Sequence, residues 1–530
     1  MEQNKQHELH VEYGTGKAWY TLNEHSRTSL EGEWRDCAQL TLPHIFPVET
    51  QDESAILPSP YNSIGPSSVN TLASKLLLAL LPPTGVFFRL LPDKDAVKGI
   101  AEAEMKKLDS ELSKVENDVV EYINQKALRV PVYEAIKLLI ITGNVMLYKV
   151  PNGGIKVFSP YQYVVQRDYV GNALTQCIKE QVALRSLPQK VQTLLEENTE
   201  DGEVSPVVSG STSTEIQKVD IYTMIVRTSA DKYTVWQEIN GMIVEGTVKK
   251  YTSDTLPYIT LRWTTVNNED YGRGLVSQYM GDLRSLEGLT QTIVEGAGIS
   301  SMHLFGLKPG STLQVEDLNN AQNGEFVLGD LEREVSVLQV NKGADLQVPL
   351  ALMAQLEQRI AKAFLSLSGQ VRDSERTTAT EVRATAAELE STLGGVFSVL
   401  ASEFQTPLIT IILKEMTPEV LKFTVPSITT GISAISRERD YQNLNVMLQS
   451  ITALGPEVIA QYLNVPAYLG QIATSLGMSA DDIVKSQEQR QQEQQQAQQA
   501  AAAQQQQQMQ GQMDVDSNKE QAKGSKQYGS

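Results

Sequence analysis

Apolar residues at helical spacing, Val382, Ala386, Leu389, Leu393, Val396, Leu400, Phe404, Leu408 and Ile412, place the strongest constraint on how this chain can fold. Thr378 and Glu381 precede them with the spacing of a capping box, in which each side chain satisfies a backbone N–H of the first turn. The pattern predicts one helix over residues 378–416, about 58 Å long at 1.5 Å per residue. One compact domain cannot shield a helix of that length. Gly394, Gly395 and Pro407 are the expected bends, since glycine pairs and prolines are recognised causes of kinks. A polar loop, SLSGQVRDSERT (366–377), opens the helix, and before it Leu352, Leu356, Ile360, Ala363 and Leu367 mark one face of another helix over 349–367.

A third helix is expected over 270–301, with Leu275, Tyr279, Leu283, Leu286, Leu289 and Ile293 on one stripe. Gly272, Gly274, Gly281, Gly288, Gly296 and Gly298 interrupt it, and each costs ~1 kcal/mol against alanine in a helix interior. Two readings stand: end caps on a frayed helix, or close packing in which the missing side chain lets another backbone approach. Residues 303–340 read as β-rich around one short helix at 312–319, a small α/β insertion between helices.

Upstream, residues 17–41 read as a polar helix stopped by LPHIFP (42–47). NTLASKLLLALLPP (70–83) places Leu72, Lys75, Leu76 and Leu80 at helical spacing with apolar residues almost all round, a buried helix ended by Pro82 and Pro83. A charged helix over 101–127 follows, and the apolar stretch 136–148 reads as a buried helix end or turn. Strands are expected at 145–150, 154–158, 163–167, 219–227, 233–239 and 256–263, with a mobile surface loop over 197–214. Beyond residue 430 the pattern is helical; from Ser486 it becomes a Gln-rich tail, helical or disordered, and from Asp514 it reads as disorder. The fold class is α+β, mainly helical.

The net charge of -19 argues against a protein that grips nucleic acid, because such proteins gain affinity by neutralising phosphates with Lys and Arg. Charge alone leaves a chain with no nucleic-acid role and a chain that lets DNA pass without sticking. Cys37 and Cys177 are too few for a disulfide framework or a four-ligand zinc site and are expected as two free thiols. No signal peptide is visible, and no apolar run approaches the ~20 residues that cross a bilayer, so no membrane partner is expected.

YGTGKAW (13–19) lacks the spacing and the Ser or Thr of a phosphate loop, and GRG (272–274) and GAG (296–298) lack the third glycine of a dinucleotide fingerprint. His7, His10, His25, His44 and His303 show no metal-ligand spacing. Asp168, Glu269, Asp270 and Asp282 read as caps and solvated charges. The residues point to no catalytic group, cofactor or metal. The alternatives are a metal-dependent nucleic-acid enzyme using the acidic residues around Asp168 or Asp270, and a helical scaffold without a channel.

Seven stretches, in order, carry a resemblance: LPHIFP (42–47), NTLASKLLLALLPP (70–83), ITGNVMLY (141–148), YVVQRDYVGN (163–172), YGRGLVSQYMGDLRSLEGL (271–289), NGEFVLG (323–329) and the run 375–407. The chain resembles the portal, or head-to-tail connector, proteins of short-tailed bacteriophages. That resemblance implies a homo-oligomeric ring of twelve subunits at one capsid vertex of the virion, assembled in the bacterial host cytoplasm. Its channel would conduct double-stranded DNA. Implied partners are the terminase large subunit, major capsid and scaffolding proteins, tail adaptor proteins and internal core proteins.

The family's regions map onto 1–268 as a wing-like α+β region, 269–302 and 346–367 as stem helices, and 303–345 as the clip-like insertion. They map further onto 368–377 as the tunnel loop, 378–430 as the long kinked wing helix, 431–485 as crown-like helices and 486–530 as the tail. Gly369, Gln370, Arg372, Asp373, Glu375 and Arg376 then face the channel. There the arginines, offset by the two acids, make weak phosphate contacts or are simply solvated. Gly274, Gly281 and Gly288 suit close packing of stem helices in a crowded ring.

Overall fold

The computed structural model describes residues 12–46, 57–83, 86–92, 102–189, 191–192, 218–301, 303–311, 314–320, 330–339, 347–366 and 395–428, with a few isolated positions besides. The chain divides into two compact units, residues 1–98 with 116–432, and residues 99–115 with 433–530. The second is described over 102–115, which is helical, and at isolated positions.

Helix α1 (Gly16–Ser26) is opened by Thr15, whose side chain accepts from the Ala18 N–H, and by the buried Glu238 carboxylate, which accepts from the Gly16 N–H at 2.6 Å. The single helix expected over 17–41 is broken: Arg27 leaves helical geometry (φ -105°, ψ 6°) and α2 (Thr28–Gln39) starts afresh. The cause is the buried Arg27 side chain, which donates to the Tyr163 carbonyl, to the Tyr271 hydroxyl at 3.4 Å and to Glu31 at 2.8 Å. Burying a guanidinium requires that its donors be used, and the backbone turns to allow it.

The apolar helix α3 (Ile64–Leu80) is buried along most of its length, Lys75 included. Helices α4 (Glu102–Gln125) and α5 (Arg129–Thr142) follow. Helix α5 stops at Gly143, whose φ of 78° is left-handed and whose N–H returns to the Leu139 carbonyl at 2.9 Å. The chain reverses there into β2 (Asn144–Lys149), the middle of a three-stranded antiparallel sheet with β3 (Ile155–Phe158) and β10 (Tyr258–Arg262).

A larger antiparallel sheet runs in the order β4 (Tyr163–Arg167), β5 (Ala173–Ala183), β6 (Lys218–Ser229), β7 (Lys232–Ile239), β8 (Met242–Ile243), with β9 (Lys249–Thr252) also pairing β7. Helix α1 packs on it through Tyr20, which joins Val164, Cys177, Tyr222, Met224, Val226, Trp236 and Ile243 in one buried cluster. Strands β5, β8 and β9 were not expected from the sequence. In β5, Gln176, Lys179, Glu180 and Gln181 blur the alternation, although Gln176 is buried and accepts from the Thr260 hydroxyl at 2.5 Å. Nor was the pairing of β1 (Phe88–Pro92) with β13 (Thr424–Ile428), two short proline-containing strands far apart in the chain.

Helices α6 (Leu275–Gln278) and α7 (Met280–Ser301) lead to a hairpin of β11 (His303–Leu307) and β12 (Val335–Gln339). Among the described residues two short helices lie between those strands rather than one, α8 (Val315–Asn320) and α9 (Leu331–Glu334). The second is capped by Asp330, which accepts from the Arg333 N–H. Helix α10 (Gln347–Ala363) ends short of the expected 367, because Leu365 adopts a left-handed φ of 56°. Farther along the chain come α11 (Gly395–Leu400), a π-helical turn over Ala401–Gln405, and α12 (Thr406–Met416).

Cys37 and Cys177 are free and buried, and burial pushes the Cys37 thiol up to about 12 and Cys177 well above its ordinary value. Thiolate is the reactive form, so neither should react with a disulfide reagent at pH 8 in the native protein. The expected titration is no thiol before denaturation and both after it. Rapid labelling of the native chain would contradict this burial.

Candidate functional site

Helices α7 and α10 form an antiparallel hairpin, and its roots are built at backbone contact distance. A Cβ added at Gly272 would lie 2.9 Å from the Gly143 and Thr264 carbonyl oxygens, and one at Gly274 would lie 2.5 Å from that of Ile141. Asn144 completes the joint: its Nδ2 donates to the Gly272 carbonyl at 2.8 Å and its Oδ1 accepts from the Gly272 N–H at 2.7 Å. The side-chain amide acts as one more rung of a ladder, which explains a buried asparagine where a strand begins. Gly274, expected in close packing, therefore packs against α5 of its own chain.

Gly281 and Gly288 differ from it in kind: nothing lies within 4 Å of a Cβ added at either, and the same holds for Gly298. Ser285 and Thr292 continue their face, and each hydroxyl folds back onto a glycine carbonyl, Ser285 to Gly281 at 2.8 Å and Thr292 to Gly288 at 2.7 Å. This face of α7 has low relief and few unused side-chain donors.

The proximal half of the hairpin is tied to the body by charged and polar groups. Arg273 pairs with Glu33 at 2.6 Å and Glu269 at 2.9 Å, Arg284 pairs with Asp36, and Asp282 meets Arg359 across the two helices at 3.2 Å. Glu287 accepts the N–H groups of Tyr61 and Asn62 at 2.7 and 3.1 Å, and the Asn62 amide bridges to Glu357 on α10 at 3.0 Å. Leu283, Leu286, Leu356, Ile360 and Phe364 are buried, and the Phe364 ring stands edge-on to Tyr279 at 5.7 Å. Farther out, among the described residues, Val294 on α7 and Val348, Leu350 and Leu352 on α10 are exposed. An exposed apolar set of this kind marks an interaction surface.

The end of α10 is fixed to α3. The Ser366 N–H reaches back to the Ala361 carbonyl at 2.7 Å in the manner of a Schellman cap. Lys75, 1 % exposed, donates to the Leu365 carbonyl at 3.0 Å, placing a cation at the negative end of the helix dipole. The sequence places Lys75 with Leu72, Leu76 and Leu80 at helical spacing but assigns it no partner; a lysine in a helix apolar almost all round is the available signal. Gly369, Gln370, Arg372, Asp373, Glu375, Arg376 and Gly394 lie outside the described residues.

At Pro407 the helix register changes. Proline lacks the N–H that would bond the Glu403 carbonyl and its ring crowds that oxygen, and the π-helical turn Ala401–Gln405 falls there. Gly395, the other described bend candidate, opens α11 with nothing within 4 Å of an added Cβ. Gln405, fully buried by the shift, donates to the Leu80 carbonyl at the end of α3. The Glu403 carboxyl is pushed up by burial, while Arg262 and Arg167 pull it down. The four acids singled out in the sequence are dispersed: Asp168 organises a turn, Glu269 and Asp282 are ion-paired, and Asp270 accepts from the Arg167 N–H at 2.7 Å. Among the described residues no group of three His, Cys, Asp or Glu could hold a metal, and no helix is long and apolar enough to cross a membrane.

An α+β body that roots a long helical hairpin through glycine joints and ion pairs is a scaffold, a chain that holds a shape. Residues 17–484 match the family described as "Bacteriophage head to tail connecting protein", and the chain belongs to that family. Its relatives include the portal protein of Enterobacteria phage T3, 34 % identical over 484 residues covering 89 % of this chain and 88 % of the relative. The portal protein of Escherichia phage T7 is 34 % identical over 485 residues with the same coverage, and that of Pseudomonas phage phiKMV is 31 % identical over 479 residues, 87 % of this chain and 90 % of the relative. A chain of "Virion of native gene transfer agent (GTA) particle" aligns over 79 % of this chain and 90 % of its own, at 11 % identity and a TM-score of 0.36. The role is that of a portal protein, structural and non-enzymatic, in the virion.

Proposed function

We propose that this portal subunit forms a ring, twelve copies at one capsid vertex, with α7 and α10 as its stem helices and residues 303–345 as the clip. The ring guides and retains double-stranded DNA that a separate terminase large subunit drives through it. The clip receives that motor and then the tail adaptor, the wing meets capsid and scaffolding proteins, and internal core proteins stack above. Assembly takes place in the bacterial cytoplasm.

One observation carries the ring: the hairpin leaves uncovered two complementary faces. The low-relief face of Gly281, Ser285, Gly288 and Thr292 on α7 can receive Val348 and Leu352, one turn apart on α10, from the next copy. A contact between different patches repeats from copy to copy, and it makes a ring where the rotation closes. The charge of -19 per subunit suits a wall that DNA slides past.

Electron microscopy of the purified protein is expected to show rings with a central pore. A strict monomer at high concentration would refute the ring. Gly281→Leu with Gly288→Leu is expected to leave the folded monomer at least as stable as the parent and to abolish rings. Replacing Arg372 and Arg376 by alanine is expected to keep rings intact while altering packaging or DNA retention; loss of the ring would make those residues structural.

A further inference from the structure

Three asparagines of this chain precede a glycine, Asn152, Asn240 and Asn323. Asparagine is thermolabile, and most so before glycine, where no Cβ hinders attack of the next backbone nitrogen on the side-chain amide. Asn152 and Asn240 lie among the described residues, and the fold treats their glycine nitrogens oppositely.

Asn152 and Gly153 sit in the turn between β2 and β3. The Gly153 N–H closes that turn on the Val150 carbonyl at 2.9 Å, and the Asn152 N–H donates to Glu415 at 3.3 Å. A Cβ added at Gly153 would lie 3.0 Å from the Val150 side chain, so this nitrogen is both bonded and crowded. Asn240 and Gly241 instead form the whole loop of the β7–β8 hairpin, because Ile239 pairs with Met242. Their φ values, 51° and 77°, are both positive, as the two-residue turn that matches strand twist requires. In such a turn the flanking residues exchange the ladder bonds and the central amides stay outside them. The Gly241 N–H accordingly has no partner among the described residues, Asn240 is exposed, and nothing lies within 4 Å of a Cβ added at Gly241.

We infer that Asn240 is a site of spontaneous deamidation, and that the isoaspartyl product formed there loosens the seat of α1 on the sheet. The Gly241 nitrogen gives its proton to water and bonds to the Asn240 Cγ, and the side-chain nitrogen leaves as ammonia. Water then opens the cyclic imide. Attack at the side-chain carbonyl yields aspartate; attack at the backbone carbonyl yields isoaspartate, in which the chain runs through Cβ and Cγ. Either product carries one new negative charge, and nothing is oxidised or reduced. Isoaspartate adds a backbone carbon to a loop built for two residues, so the register of Glu238 with Ile243 and Ile239 with Met242 must give. Both residues of the first pair hold α1. Ile243 belongs to the cluster that buries Tyr20, and the fully buried Glu238 accepts from the Gly16 N–H and the Trp236 indole N–H, each at 2.6 Å.

The test is timed incubation of the full-length protein at mildly alkaline pH, native or unfolded in urea, followed by peptide mass mapping. In the native protein the Asn240 peptide is expected to become about 1 Da heavier about ten-fold faster than the Asn152 peptide, and in urea the two rates should converge. Equal native rates, or faster change at Asn152, overturn the site. Isoaspartate is counted by enzymatic methylation of its α-carboxyl, and hydrogen exchange is read over residues 16–26 and 236–243. Aged protein is expected to exchange there faster in proportion to its isoaspartate, whereas fresh Asn240→Asp, which adds the charge on an unchanged backbone, should exchange like the parent. Aged protein that exchanges like fresh, or Asn240→Asp that exchanges like aged, overturns the link to α1.

Discussion

Gly143→Ala is expected to cost more than about 3 kcal/mol of subunit stability, seen as a lower melting temperature and reduced soluble yield. Two effects add. Gly143 has a φ of 78°, where an L side chain is strained by roughly 1–3 kcal/mol. Its Cβ would also lie 2.4 Å from both the Arg273 carbonyl carbon and the Gly274 nitrogen, backbone atoms that cannot rotate away. Gly274→Ala shares the clash without the strain, since its φ is -75°, and should cost less than Gly143→Ala but still exceed an ordinary substitution. Gly281→Ala and Gly288→Ala supply the control: in open space on a helix, each should stabilise the monomer by about 1 kcal/mol. Thermal or urea unfolding of the four variants separates the cases. A Gly143→Ala chain that melts like the parent would mean that the joint between α5 and the hairpin is not tight.

That contrast shows where sequence reading ends. Gly274, Gly281 and Gly288 look alike in a helical pattern, and only the positions of Ile140 and Ile141 distinguish the packed glycine from the open ones. Periodicity located the elements whose faces are simply divided: Tyr163–Arg167 has the expected bounds, and β2, β6 and β7 differ by a residue or two. It failed for β5, where Lys179, Glu180 and Gln181 sit within a paired strand, and for β1 and β13, each of which has its partner at the far end of the described chain. It failed again at Arg27, because nothing local to a polar helix announces that one guanidinium will be buried. The family was legible through the order of its motifs, while the groups that fix the hairpin, Asn144, Lys75 and Glu287, and the one that ties the π-helical turn to α3, Gln405, were not. Each is a polar residue whose partner is remote in sequence, and a partner is what converts a buried polar group from a penalty into an anchor.

The largest effect away from glycine is expected at Glu415. Lys149 on β2 has its side chain 1 % exposed and donates to Glu415 at 3.0 Å, to the Tyr122 hydroxyl at 3.1 Å and to the carbonyls of Val150 and Gly153 at 3.0 and 3.1 Å. Glu415 lies on α12 and also accepts from Tyr122 at 2.9 Å and from the Asn152 N–H at 3.3 Å, so one carboxylate ties that helix to α4 and to the β2–β3 turn. Glu415→Ala leaves a buried ammonium facing only neutral acceptors, and the expected loss is about 3–5 kcal/mol. Lys149→Met removes the cation and leaves a carboxylate at the edge of the site, which water can reach, so its cost should be smaller. Lys149→Met combined with Glu415→Leu should recover most of the loss, because replacing both charges by apolar groups of similar shape removes the desolvation penalty along with the attraction. Tyr122→Phe should cost about 1 kcal/mol, the net worth of one hydroxyl in the network. A double-mutant cycle on unfolding free energies reads the coupling directly, and additive single losses would show that the pair does not act as a unit. Since the same helix buries Leu408, Ile409, Ile411, Ile412 and Leu413, hydrogen exchange should show α12 opening first in Glu415→Ala, and uniform exchange across the subunit would place the damage elsewhere.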